Sequence, residues 1–157
     1  PGWCDGPGSL ASPPDAEANV AVLETSAEGR IVADGSVTAP GLGLLRAPIV
    51  LDVEAGRVTR CAGELAPMLE ALLRAPADGA ASTVAEIGLG LNPLARLSGW
   101  MLEDEGCLGT VHVGVGANAT IGGRNEVPFH VDLVLRGATV TADGVLLEPA
   151  LLLGGLP

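Results

Sequence analysis

The feature that most constrains the fold is a series of short runs rich in Val, Ile and Thr, separated by turns that contain glycine. β-branched residues favour strands, and Gly and Pro favour the turns between them. "IVLDV" and "RVTRC" flank "EAG", which predicts a β-hairpin. The runs predicted as strands are "VAVLET", "GRIVADGSVT", "IVLDV", "RVTRC", "TVAEIGLGL", "TVHVGVG", "HVDLVL", "ATVTADGVLL" and "ALLL". The sequence therefore predicts a domain dominated by antiparallel or mixed β-sheet.

One segment has a clear helical period. "ELAPMLEALLRA" (64–75) has its large apolar residues at the i, i+3, i+4, i+7, i+8 spacing of one helical face, and these are Leu65, Met68, Leu69, Leu72 and Leu73. "NPLARLSGWMLEDEG" (92–106) predicts short helical turns, with the acidic residues 103–105 on a solvated helix face. We expect an α+β fold with one compact domain over 17–157, after an extended lead-in over 1–16.

The charge balance excludes two classes of partner. The 157 residues include 19 acidic and 8 basic ones, every basic residue is an arginine, and the formal net charge is −11. Such a chain lacks the basic surface that binds nucleic acid or anionic lipid. No apolar run approaches the length of a membrane span, and no signal-peptide pattern is present at the start. The sequence predicts a cytoplasmic protein whose three scattered cysteines are reduced thiols.

Carboxylate and imidazole side chains interrupt three apolar strands in the second half. Glu86 lies in "TVAEIGLGL", His112 in "GTVHVGVG", and His130 with Asp132 in "FHVDL". Residues at i and i+2 of a strand share a face, so His130 and Asp132 are predicted to lie side by side. Buried polar groups of this kind are costly unless they are paired or bound to metal. Two interpretations remain open: a site for Zn, Mn or Fe, or a structural hydrogen-bonded set.

The segment between the two histidines is rich in glycine, which lets backbone approach a ligand closely. Within it, Arg124 follows two glycines and is a candidate to bind a carboxylate, and Asn118 is a second candidate ligand-binding residue. An ordinary surface arginine and an ordinary loop residue are the alternatives.

Several motifs, taken together, resemble a known superfamily. They are "AEIGLGLNPLAR", "LEDEGCLGTVHVGVGANATIGGRNEVPFHVDLVLRGATVTADG", "DAEANVAVLETSAEGRIVADGS" and "LGLLRAPIVLDVEAGRV". In order and spacing they resemble the C-terminal half of the aminopeptidase T family of metallopeptidases, whose superfamily includes 2,5-dihydroxypyridine dioxygenase. The resemblance implies a metal-ligand set of Glu17, Glu86, His112, His130 and Asp132. It also implies that a histidine replaces Glu86 in the dioxygenase branch.

The predicted function depends on where this sequence differs from the enzymes of that superfamily. The family's enzymes carry a further N-terminal domain and a tyrosine at the metal centre, whereas this sequence contains no tyrosine. We therefore expect a truncated, non-catalytic homodimer that binds a peptide. Its predicted role is to present a precursor peptide to tailoring enzymes of ribosomal peptide natural products. No cofactor is expected in that case.

The alternative is an enzyme that uses Zn, Mn or Fe. It would be a metal-dependent aminopeptidase, a non-haem iron ring-cleaving dioxygenase, or a fragment of one.

Overall fold

The computed structural model of the protein describes residues 13–74 and 79–147. Within these ranges the chain forms eleven strands and two α-helices, with short 3-10 turns at Ala80–Ser82 and Ala119–Ile121. In chain order the strands are β1 (Glu17–Ala21), β2 (Gly29–Ala33), β3 (Ser36–Val37), β4 (Gly43–Leu44), β5 (Ile49–Glu54), β6 (Arg57–Ala62), β7 (Val84–Gly90), β8 (Thr110–Gly116), β9 (His130–Arg136), β10 (Val140–Ala142) and β11 (Val145–Leu147). The helices are α1 (Ala66–Arg74) and α2 (Met101–Asp104).

The strands form a large sheet and two smaller ones. Six strands pair in the order β1-β7-β8-β9-β3-β4, three pair as β2-β5-β6, and β10 with β11 forms a separate hairpin. Every neighbouring pair of these strands is antiparallel. The predicted α+β fold, mostly antiparallel sheet with one main helix, is confirmed.

The hydrophobic core lies between one face of the six-stranded sheet, the three-stranded sheet and α1. Val115 and Leu133 from the large sheet, Ile49 and Leu51 from β5, and Leu69 from α1 are all fully buried there. Because side chains alternate across a strand, the residues between these apolar ones point to the opposite face of the large sheet. That second face is where the polar residues of β7, β8 and β9 lie.

The predicted hairpin and the predicted helix are both present in the structure, and the helix is shorter than the segment predicted for it. The turn of the "EAG" hairpin is Ala55-Gly56, and both residues have positive φ (46° and 78°), as a type I′ turn requires. Helix α1 falls inside the predicted segment, but Met68 is 43% exposed because the buried stripe follows Ala66, Leu69 and Leu73. The predicted strand "ALLL" and Cys4 lie outside the described residues.

The acidic cluster 103–105 is not a solvated helix face, and that prediction is wrong. Asp104 is fully buried and Glu105 is 8% exposed. The carboxylate of Asp104 accepts hydrogen bonds from the backbone N–H groups of Ser98 (2.7 Å) and Gly99 (3.0 Å), so it anchors the loop before α2. Its burial is therefore compensated by backbone donors.

The remaining local findings concern cysteines and membrane spans. Cys61 and Cys107 are free thiols, as predicted for these two. In the part of the chain that the structure describes, no helix has the length and apolar character needed to cross a membrane.

Candidate metal centre

The antiparallel register brings the polar residues of four strands to one face of the large sheet. Glu86 on β7 pairs with Gly114 on β8, and Gly114 pairs in turn with Asp132 on β9. His112 lies one cross-strand row away, opposite Gly88. Neighbouring side chains on one sheet face lie within contact distance, so this pairing converts separate sequence motifs into one cluster.

The cluster consists of two groups of metal-ligand type that share Glu86. In the first group, Nε2 of His112 lies 3.0 Å from Oε2 of Glu17 and 3.7 Å from Oε1 of Glu86. In the second, Nε2 of His130 lies 3.1 Å from Oδ1 of Asp132 and 3.6 Å from Oε2 of Glu86. Within each group the ligand atoms all lie within 4.8 Å of one another. All five residues that the resemblance implies are therefore brought together.

Two glycines leave the room that the imidazole rings occupy. A Cβ added at Gly88 would overlap the ring of His112. A Cβ added at Gly114 would lie 2.8 Å from Cβ of Glu86 and 2.8 Å from Cε1 of His130. Any larger residue at either position would displace a ligand, because real Cβ atoms do not approach so closely. The glycines in "IGLGL" and "HVGVG" thus shape this centre.

The histidine of the second group is oriented by the backbone. Nδ1 of His130 lies 2.7 Å from the carbonyl oxygen of Ala117, to which it donates a hydrogen bond. This bond leaves Nε2 of the neutral ring without a proton, facing Glu86 and Asp132. His130 therefore presents the nitrogen that a metal ion would bind.

Both histidines have raised pKa values because carboxylates surround them. Burial disfavours the charged form of His112, but hydrogen bonds to Glu17 and Glu86 outweigh it and raise its pKa to about 10. The hydrogen bond to Asp132 is the largest cause that raises the pKa of His130 to about 9. Without a metal ion both rings are therefore protonated at neutral pH. A bound dication would take the place of those protons.

Two acidic residues that the sequence did not single out as site residues also lie at the centre. Burial and the neighbouring Asp132 carboxylate raise the pKa of Glu105 to about 9, so Glu105 holds a proton at neutral pH. Burial, followed by the charge of Glu17, raises the pKa of Asp15 to about 6. No periodicity could have found them, since Asp15 precedes β1 and Glu105 follows α2.

The donor set fits a divalent metal ion. Three carboxylates and two imidazoles are ligands that Fe(II), Mn(II) and Zn(II) accept. Oδ1 of Asp15, Oε1 of Glu105 and Nδ1 of His112 are buried here with no hydrogen-bond partner among the described residues. Buried polar atoms without partners are rare away from functional sites. The cluster therefore has the properties of a binding centre more than those of a satisfied structural set.

The other two candidates, Asn118 and Arg124, lie outside the two groups. The amide of Asn118 is buried and donates to the carbonyl oxygens of Val22 (3.3 Å) and Ala85 (3.2 Å). Arg124 is exposed, and its backbone N–H donates to Oε1 of Glu24 at 2.6 Å. Asn118 thus connects the loop before β9 to the start of β7 and to the end of β1. Ligand binding by either residue stays a prediction.

The fold and the centre together define a class: an α+β protein with a candidate His/carboxylate metal centre on the second face of an antiparallel sheet, where Glu86, His112 and Asp132 are buried. The family model for 2,5-dihydroxypyridine 5,6-dioxygenase (NicX) matches residues 1–148. The chain belongs to this family.

A curated relative and a solved structure come from the same organism. The 2,5-dihydroxypyridine 5,6-dioxygenase of Pseudomonas putida KT2440 is 29% identical over 153 residues, which cover 90% of this chain and 44% of the relative. The solved structure of the 2,5-dihydroxypyridine dioxygenase from that strain matches with a TM-score of 0.69 and 27% identity, over 80% of this chain and 39% of that one. The chain thus spans less than half the length of the relative it matches.

Proposed function

We propose that this chain carries the metal centre of a non-haem iron dioxygenase that cleaves the ring of a hydroxylated pyridine. The observation that carries the proposal is the pair of ligand groups that share Glu86 on one sheet face. Membership of the 2,5-dihydroxypyridine 5,6-dioxygenase family supports iron and this substrate class. The proposal applies to this chain, which spans less than half the length of the relative from Pseudomonas putida.

The residues of the centre have separate roles in this function. Glu17, Glu86 and Asp132 supply the negative charge that a buried dication needs, and His112 and His130 supply neutral nitrogen donors once their protons leave. The backbone of Ala117 holds the ring of His130 in place. When bound, iron would supply the one-electron chemistry that reaction of dioxygen with an aromatic ring requires.

The dioxygenase proposal is better supported than the role in presenting a precursor peptide. The matching family and the matching relative both carry the dioxygenase name. Peptide binding, a homodimer and a place in natural product biosynthesis stay predictions. The aminopeptidase alternative has one specific feature in its favour, because a carboxylate at Glu86 departs from the histidine that the resemblance implies for the dioxygenase branch.

Anaerobic loading with Fe(II), followed by oxygen-electrode and absorbance measurements, tests the proposal. We expect the chain to bind Fe(II) and to consume oxygen and 2,5-dihydroxypyridine in equal amounts. His130→Ala is expected to lose both the metal and the oxygen uptake, whereas Arg46→Ala, an exposed residue outside the centre, is expected to keep them.

The outcomes separate the alternatives. Bound Fe(II) without oxygen uptake in the presence of 2,5-dihydroxypyridine would contradict the dioxygenase proposal for this chain. Release of the first residue from a short peptide by the Zn- or Mn-loaded protein would favour the aminopeptidase. A protein that binds no metal, yet binds peptide in the presence of chelator, would favour the peptide-presenting role.

A further inference from the structure

We propose that Thr38 is a positioning residue that sets the orientation of Asp132 as a metal ligand. This inference deepens the proposed function and rests on its metal centre. Thr38 directly follows β3 and lies 94 residues from Asp132 in the sequence. The pairing of β3 with β9 brings the two residues together.

The two residues are joined by a reciprocal set of hydrogen bonds. The backbone N–H of Asp132 donates to Oγ1 of Thr38 at 2.9 Å, and Oγ1 of Thr38 donates to Oδ2 of Asp132 at 3.2 Å. In addition, the backbone N–H of Thr38 donates to the carbonyl oxygen of Asp132 at 3.0 Å. A hydroxyl group can accept and donate at the same time, so one side chain satisfies two groups of Asp132.

In this arrangement the two carboxylate oxygens of Asp132 have different partners. Oδ2 is held by Thr38, while Oδ1 lies 3.1 Å from Nε2 of His130, on the side of the ligand group. Asp132 is only 3% exposed, so water does not compete for Oδ2. Without the hydroxyl, Oδ2 would lose this donor, and the carboxylate would be held only by its hydrogen bonds with His130 and Glu105.

Partners of this kind have measurable effects on metal affinity. Hydrogen-bonding groups that orient a ligating residue typically change metal affinity by about 10- to 100-fold when they are removed. Thr38 itself offers no atom to the two ligand groups. Its effect should therefore appear in metal affinity and in the spectrum of the bound ion, in addition to any effect on folding.

The test compares Thr38→Val, which removes the hydroxyl at nearly constant shape, with Thr38→Ser, which keeps it. Zn(II) affinity is measured by competition with a chromophoric chelator, and the visible spectrum of bound Co(II) reports ligand geometry. We expect Thr38→Val to weaken Zn(II) binding about 10- to 100-fold and to change the Co(II) spectrum. Thr38→Ser should retain the affinity and spectrum of the unmodified chain. Thr59→Val, the same change on β6, is the matched control, because the hydroxyl of Thr59 donates to the backbone oxygen of Asp52 and belongs to neither ligand group among the described residues.

Thermal unfolding of the metal-free variants shows whether Thr38→Val folds. If it does not fold, Thr38→Ala replaces it in the same comparison. Equal affinity in the unmodified chain and in the variants without the hydroxyl would overturn the role of Thr38. So would a loss in Thr38→Ser as large as that in Thr38→Val. Absence of Zn(II), Co(II) and Fe(II) binding by the unmodified chain would instead overturn the metal centre, and the role of Thr38 with it. If the unmodified chain binds metal but does not cleave the ring, the conclusion about Thr38 still holds.

Discussion

Glu86 is the residue on which the candidate centre depends most. Each of its two carboxylate oxygens faces a different histidine, at 3.7 Å for His112 and 3.6 Å for His130. A single carboxylate therefore belongs to both ligand groups, and each group has the residue types and spacing to hold an ion. At the scale of single residues, substitution here should affect both groups at once.

We expect Glu86→Gln to lower both the amount and the affinity of bound metal. The amide keeps the shape of the side chain but removes the negative charge that attracts a dication. Metal content after dialysis, measured by mass spectrometry of the elements, checks this. Glu54→Gln, at an exposed position on β5, is the control. Full metal content in Glu86→Gln would show that the ligand groups do not hold the ion.

Gly88→Ala should destabilise the protein because its methyl group would overlap the ring of His112. Overpacking of this kind costs about 1–3 kcal/mol in the free energy of unfolding. The cost should shrink in the His112→Ala background, where the ring is gone. Denaturant unfolding of the two single variants and the double variant measures the coupling. Additive effects would contradict the proposed contact.

At the scale of elements, the β5–β6 hairpin contains a local conflict between residue and conformation. Ala55 occupies a left-handed position with φ of 46°, where Asn and Gly are preferred in type I′ turns. Its backbone N–H also donates to Oε1 of Glu28 at 2.8 Å, and a new side chain would not remove that bond. The hairpin therefore forms in spite of Ala55.

Ala55→Asn should raise stability on the order of 0.5 kcal/mol, because Asn tolerates the left-handed conformation better than Ala. The measurement is the midpoint of thermal or denaturant unfolding. Ala142→Asn, at an exposed strand position without positive φ, should give no such gain. An unchanged or lower midpoint for Ala55→Asn would contradict the turn geometry.

At the scale of the whole molecule, the acid-rich centre makes the stability of the metal-free protein depend on pH. The pKa values of His112 (about 10) and His130 (about 9) lie above their ordinary value of 6.5. Their contribution is thus complete below about pH 6.5 and is lost as pH rises through the folded pKa values. Glu105, with its pKa raised to about 9, acts in the same direction because its ionisation is costly in the folded state.

We therefore expect the melting temperature in chelator to fall steadily between about pH 6.5 and pH 10. A divalent ion should reverse most of this fall, because it replaces the protons and stabilises the folded state by about 2.7 kcal/mol at 100 times its dissociation constant. Thermal scans across this range, with and without metal, provide the measurement. A melting temperature that rises with pH in chelator would contradict the protonated centre.

Much of the fold and part of the centre could be predicted from sequence. Runs rich in β-branched residues between turns identified β7, β8 and β9, and the 3.6-residue period identified α1. The period of two along a strand, which follows directly from local backbone geometry, then gives the face of each side chain. The same rule predicted that His130 and Asp132 share a face, which their 3.1 Å contact confirms. Glu17 entered the ligand set only through resemblance, since nothing in its local pattern marks it.

What the sequence determined by itself is which residues alternate along each strand and where the chain turns. Only the tertiary structure decided which strands lie beside one another, and so which polar residues meet. The order β1-β7-β8-β9-β3 brings Glu17 to His112 and Thr38 to Asp132. It also buries Glu105, which local sequence predicted to be solvated. Strand order depends on contacts between residues far apart in the chain, and the periodicity of a single segment does not encode those contacts.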